Sequence, residues 1–222
     1  MSEGVGRETH LRKATTVAAA SLAAFVFLVS SAAAAQSVGG CQLQGTASFS
    51  PGLNASSKPF SYGFTGNLTG CQSSQSGAPT TGTVAAGQTV TKQVTNSVTG
   101  ATDTVTYQEP VSTGTGSCAS STTQGQALTT WADGSTTVIS YTTTGAAAAV
   151  QLSGTVPPSM TLNAVNAQSG DPTTYTISTT RYAGQSASGV LAFQPPDPTA
   201  CNTSAGVATA GISGGIGLDS TS

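Results

Sequence analysis

Residues 60–68 read FSYGFTGNL, and their alternation constrains the fold more than any other stretch. Phe60, Tyr62, Phe64 and Leu68 fall on one side with Gly66 in line, the period of two that a half-buried strand requires. Residues 41–49, CQLQGTASF, repeat the pattern with Cys41, Leu43, Ala47 and Phe49, and Gly45 is again in line. Ser50-Pro51-Gly52 is expected to break that first run. Pairing the two runs brings Cys41 close to Cys71 only if they lie antiparallel, so a hairpin-like pair is predicted.

Similar runs follow at regular spacing: 88–95, 103–109, the flanks of Asp133-Gly134 within 128–141, then 148–156, 173–180 and 188–194. A Gly-rich run at 205–217 supplies a last strand. Polar stretches at 72–83, 112–117 and 195–204, punctuated by Gly or Pro, read as loops. Apart from Ala, good helix formers are scarce and β-branched residues abound. About nine or ten short strands with turns at even spacing predict an all-β fold. An antiparallel β-sandwich, immunoglobulin-like or jelly-roll-like, is the first expectation, with a closed β-barrel as the alternative.

The first 35 residues read as an export signal. Arg7, Arg12 and Lys13 precede an apolar run at 14–29, and Ala33-Ala34-Ala35 before Gln36 fits a small-residue cleavage site. The apolar run is shorter than the roughly 20 residues of a membrane span. Residues 36–222 are therefore expected to form a single secreted, extracellular β-domain without membrane attachment. Val38-Gly39-Gly40-Cys41 loosely resembles a lipobox. Cys41, however, lies several residues past the apolar run, and lipidating it would leave an odd number of cysteines. Residues 36–222 carry three cations, Lys58, Lys92 and Arg181, against six acids, a net charge of −3. So few cations give no footprint for a phosphate backbone or an anionic membrane face, which argues against a nucleic-acid partner.

The four cysteines, Cys41, Cys71, Cys118 and Cys201, read as two disulfides in an exported chain. Of three connectivities, Cys41–Cys71 with Cys118–Cys201 is favoured. The first pair ends two alternating runs, and the second ties the last third of the chain to the middle. No C-x-x-C pair occurs, and the one histidine, His10, lies in the signal segment, so neither metal nor cofactor is expected. Residues 36–222 lack the histidine that Ser-His-Asp and Cys-His catalysis needs. Glu109 with Asp103 or Asp133 is the only carboxylate arrangement to consider for a hydrolase. Since Asp133 suits a hairpin turn, a non-enzymatic protein is expected.

Trp131, the one tryptophan of the chain, sits in LTTWADGSTTVISY (128–141). With a two-residue Asp-Gly turn, Trp131 lies opposite the face of Leu128, Ile139 and Tyr141, free to act as a stacking platform for sugar rings. With a three-residue loop closed by Gly134 in the left-handed region, the register slips by one. Trp131 then joins Ile139 and Tyr141 in the core. Lys92 shares a parity with Val90 and Val94, which suits a guarded edge strand, a snorkelling side chain or an isopeptide donor.

The strings CQLQGTASFSPGL (41–53), FSYGFTGNLTGCQSS (60–74), GSCASS (116–121), ALTTWADGSTT (127–137) and DPTACNTSAGV (197–207) resemble a recurrent type of small secreted, β-rich protein of actinobacteria. The resemblance rests on the cysteine framework, the Pro-Gly-Leu turn and the W-x-D-G hairpin. It implies export and a β-rich fold and carries no functional residue across. The expected function is a non-enzymatic extracellular or cell-envelope binding module. Its expected partner is a glycan or another envelope component, with Trp131, Tyr107 and Tyr141 as the contact surface. A structural or protein-interaction surface protein is the alternative, and a carboxylate-dependent hydrolase a distant third.

Overall fold

A computed structural model describes residues 37–220, and within them every strand pairing is antiparallel. The expected signal segment, 1–35, lies outside the described residues. The predicted hairpin forms from β1 (Ser37–Leu53) and β2 (Lys58–Ser73), with Leu43 opposite Leu68 and Ala47 opposite Phe64. Ser50-Pro51-Gly52 does not end the first strand. β1 runs through them to Leu53, and a register shift between Ser48 and Leu53 absorbs the irregularity.

From this hairpin the sheet closes on itself. β2 pairs with β3 (Gly82–Ala86), β3 with β7 (Ser120–Trp131), and β7 with β8 (Thr136–Ala146). Then follow β9 (Ala149–Thr155), β12 (Ser186–Gln194) and β13 (Val207–Asp219), and β13 pairs back onto β1. Of the two expected architectures the chain adopts the closed barrel, an all-β fold with two disulfides. A sandwich appears only locally, on the outside of one wall.

The wall position between β2 and β7 is shared. β3 covers the half near Phe64–Leu68, and β6 (Ser112–Gly116) covers the half near Lys58–Tyr62. Both run in the same direction, so this is one strand interrupted by an excursion. The excursion makes β4 (Thr89–Thr95) and β5 (Thr102–Gln108). A second excursion, between β9 and β12, makes β10 (Ser159–Ala164) and β11 (Thr174–Ser178). Together they form a four-stranded sheet in the order β11-β10-β5-β4.

The loop expected at 112–117 is thus largely strand β6. Its alternation is real but carries no apolar residue. Ser112, Gly114 and Gly116 point into the barrel, and Thr113 and Thr115 point out. Bulk is excluded at Gly114, where an added Cβ would meet the Phe60 ring at 2.6 Å. The stretch 195–204 contains the one helical turn among the described residues, a 3-10 helix at Pro198–Asn202, with Asp197 capping Thr199 N–H.

Two apolar layers follow. Leu43, Ala47, Leu68, Val84, Ile139 and Ile212 fill the barrel. Val105, Tyr107, Met160 and Leu162 of the second sheet pack on Val138 and Leu128, which face outward from β7 and β8. This explains why the β7–β8 hairpin is apolar on both faces while other strands are apolar on one. Elsewhere the outer face is mainly Thr, Ser and Gln, as on β1, whose outward residues are Gln42, Gln44, Thr46 and Ser48, with Val190 of β12 an exposed exception.

Both favoured disulfides form. Cys41–Cys71 staples β1 to β2, with Cα atoms 4.1 Å apart. Cys118–Cys201 joins the β6–β7 turn to the 3-10 helix, with Cα atoms 6.0 Å apart. Those two turns stand on opposite sides of the ring, so the second bridge straps one mouth of the barrel. No helix among the described residues is long and apolar enough to cross a membrane.

Candidate functional site: the barrel interior

The two ends of the interior differ. The end carrying the β7–β8 turn is filled by Trp131. The turn has three residues, 132–134: Trp131 N–H donates to Ser135 C=O at 2.9 Å, and Gly134 takes φ +79°. This register turns the ring inward beside Ile139 and Tyr141, leaving Trp131 7% exposed. Its Nε1–H donates to Thr137 Oγ1 at 2.8 Å, and Thr137 donates to Arg181 C=O at 2.9 Å. The Tyr182 ring meets it edge-on, with centroids 5.7 Å apart.

The sugar-stacking platform therefore does not form at Trp131. Nor do the other two proposed contact residues reach the surface. Tyr107 is fully buried between the second sheet and the barrel wall, where its hydroxyl donates to Pro172 C=O at 3.0 Å. Tyr141 is buried and points into the barrel. The emission of Trp131 is expected to be blue-shifted and to resist acrylamide quenching. A red-shifted, readily quenched signal would contradict the inward register.

Outside the turn, the Ser135 hydroxyl and amide and the Arg181 guanidinium hold the Asp133 carboxyl below the usual carboxylate range. The remaining carboxylates of the hydrolase reading are engaged elsewhere. Asp103 accepts from Asn96 Nδ2 at 3.1 Å, which also donates to Asp171 at 2.9 Å. Glu109 closes the neck of the first excursion: its carboxylate accepts Gln88 N–H at 3.0 Å while its own N–H donates to Gln88 C=O at 2.9 Å. Among the described residues no three of His, Cys, Asp and Glu cluster as metal ligands. Lys92 places Nζ over the Tyr175 ring, 5.1 Å from its centroid, a cation–π contact within the second sheet.

Burial pushes the Glu109 carboxyl up, and the Gln88 amide offsets this only in part. The folded state therefore binds this proton more tightly than the unfolded state. The sign follows: the contribution of Glu109 is most favourable below the unfolded carboxyl range and is lost as pH rises through the folded value. Glu109→Gln is expected to flatten that decline in a urea-unfolding series from pH 4 to 8. An unchanged pH slope would refute the assignment.

The other end of the barrel is hollow. A cavity of about 100 Å³ lies between an aromatic wall and a hydroxyl wall. Phe49, Phe60 and Phe193 form the first; Phe49 meets Phe60 at 5.9 Å and Phe193 at 5.3 Å, both edge-on. The volume stays open because the facing strands bring small inward residues, Ser121, Thr123, Thr143 and Gly145. Exposed Ser120 and Ala147 lie at the rim, beside Cys118 of the strap.

The hydroxyl wall is a continuous chain. Thr143 and Thr123 hydroxyls are 2.7 Å apart, Thr123 and Tyr62 2.9 Å, Tyr62 and Tyr141 2.8 Å, and Tyr141 and Ser112 3.0 Å. Four strands, β2, β6, β7 and β8, supply these five groups. Burial pushes both phenols up, and for Tyr141 the neighbouring Tyr62 adds to the effect. Both stay protonated at ordinary pH. No charged side chain lines the cavity among the described residues.

Sequence reasoning placed Tyr141 among the contact residues but on a surface. It put Tyr62 on the apolar face of its strand without giving it a functional role, and it missed Thr123, Thr143 and Ser112. The signal for Tyr62 was present, since its parity with Phe60 and Phe64 puts a phenol inside. Compared with known family models, curated proteins and solved structures, the chain matches none.

Proposed function

We propose that this chain is a secreted, non-catalytic binding module that holds a small, largely apolar molecule inside its barrel. The observation that supports it best is the cavity of about 100 Å³ with three phenylalanines on one side and a hydroxyl chain on the other. At about 100 Å³ the cavity is smaller than the roughly 150 Å³ of a dry apolar cavity that accepts benzene, so a guest of that size would extend from it toward the rim. The two disulfides and the signal-like first 35 residues support an extracellular setting. A glycan as the partner loses its aromatic anchor, because Trp131, Tyr107 and Tyr141 all lie inside.

Equilibration of the purified protein with p-xylene tests this. Thermal stability should rise. Methyl resonances of Leu152, Leu191 and Ile212, which line the cavity, should shift. Those of Met160 and Leu162, in the separate core of the second sheet, should stay in place. No response up to the aqueous solubility of p-xylene would reject the reading.

A further inference from the structure

Residues 36–222 hold three cations, and two of them are engaged. Arg181 pairs with Asp133 at the Trp131 end, 2.9 Å apart, and Lys92 lies over the Tyr175 ring of the second sheet. Lys58 makes no ion pair, hydrogen bond or ring contact among the described residues.

The wall places this lysine at the hollow end. Lys58 opens β2 directly opposite Gly116 of β6, and opposed residues on paired strands share a face. Gly116 faces the interior, so Lys58 begins the inward row that Phe60 and Tyr62 continue. Phe60 lines the cavity, as does Ser117, the residue after Gly116. Lys58 therefore stands just outside the hollow, one inward position nearer the mouth than Phe60, about 7 Å along the strand. Half-buried, it can lay its stem along the rim and keep its ammonium in water.

The charge around the mouth favours an anion there. The turns at this end, 54–57, 117–119, 147–148 and 195–206, contain one acid, Asp197. Its carboxylate is occupied with the hydroxyl and amide of Thr199, at 2.6 and 2.8 Å, which hold it below the usual carboxylate range. A guest larger than the hollow reaches toward this rim. A charged group placed there stays hydrated, whereas among the phenylalanines it would be stripped of water without compensation.

We infer that the barrel takes an amphipathic monoanion, with its apolar body against Phe49, Phe60 and Phe193 and its anionic head at the mouth against the Lys58 ammonium. The inference rests on the proposed binding role and deepens it. It adds the charge of the ligand and its orientation.

Three probes share one body and differ in the head: 3-phenylpropanoate, 3-phenylpropanamide and 3-phenylpropan-1-amine. The propanoate should bind about fivefold more tightly than the amide, the upper end for an exposed ion pair. The amine should bind more weakly than the amide. In Lys58→Met, which keeps an apolar stem, the preference for propanoate over amide should vanish. Should that variant fail to fold, salt decides: the wild-type preference should shrink toward none in about 1 M NaCl, where charges are screened within about 3 Å. Equal binding of propanoate and amide by the wild type overturns the anionic assignment and leaves the binding role standing. A preference that survives Lys58→Met, or molar salt, does the same, as does binding of p-xylene without any of the three. Failure of p-xylene and of all three probes overturns the two together.

Discussion

Gly125→Ala is expected to destabilise the protein by about 3 kcal/mol, from overpacking and loss of a buried hydrogen bond together. Residue 125 faces the interior on β7, at the point where Ser112 of β6 and Tyr141 of β8 meet. A Cβ there would press onto the Ser112 hydroxyl and approach the Tyr141 hydroxyl at 2.8 Å. Neither group has an easy retreat, since Ser112 is fully buried and Tyr141 nearly so. For a domain of this size the loss corresponds to a melting temperature lower by roughly 6–12 °C. Gly215→Ala on the outer face of β13 is the control, because its added Cβ would meet only the flexible Gln42 amide at 3.9 Å. Equal effects at the two positions would show that the Ser112–Tyr141 junction is not the constraint.

Cys118→Ala/Cys201→Ala should have a larger effect, about 4.5 kcal/mol in the chain-entropy account. The bridge spans 83 residues of sequence, from the start of β7 to the 3-10 helix. Cys41–Cys71 spans 30 residues and joins strands that already pair along most of their length, so its removal should cost less. Urea midpoints of the two double variants test the order. The strap also borders the cavity through Cys118. The Cys118/Cys201 variant should therefore exchange p-xylene faster as well as unfold more readily. Equal midpoints for the two variants would remove the special role assigned to the strap.

How much of this was readable beforehand depends on the residue. The β1–β2 pair was readable because Phe60, Tyr62 and Phe64 alternate with polar residues and a cysteine ends each run. Trp131 was not, because its side of the sheet turns on whether the loop has two residues or three. Asp133-Gly134 suits both. Closure into a barrel was hidden in residues 112–116, where an inward face of Ser112, Gly114 and Gly116 has no apolar signature at all. The second sheet was hidden for a different reason. Its strands were visible one by one, but β5 and β10 meet from more than 50 positions apart, and alternation says nothing about partners. The cavity was hardest of all. It is made by what Thr123, Thr143 and Gly145 fail to fill, and a void has no residue of its own.

The pairing of β1 with β13 has a consequence for how the chain reaches this state. The wall is sealed by residues from the two ends of the domain, as where Cys41 lies opposite Ile216. No ribosome can deliver a closed ring gradually: the first strand waits, one flank bare, until the last has been made. The β1–β2 hairpin and its disulfide are available at once, whereas sealing is a late, long-range event of the kind that slows β-rich domains. Until then the polar outer residues of β1, Gln42, Gln44 and Thr46, are what stand between an open edge and a neighbouring chain.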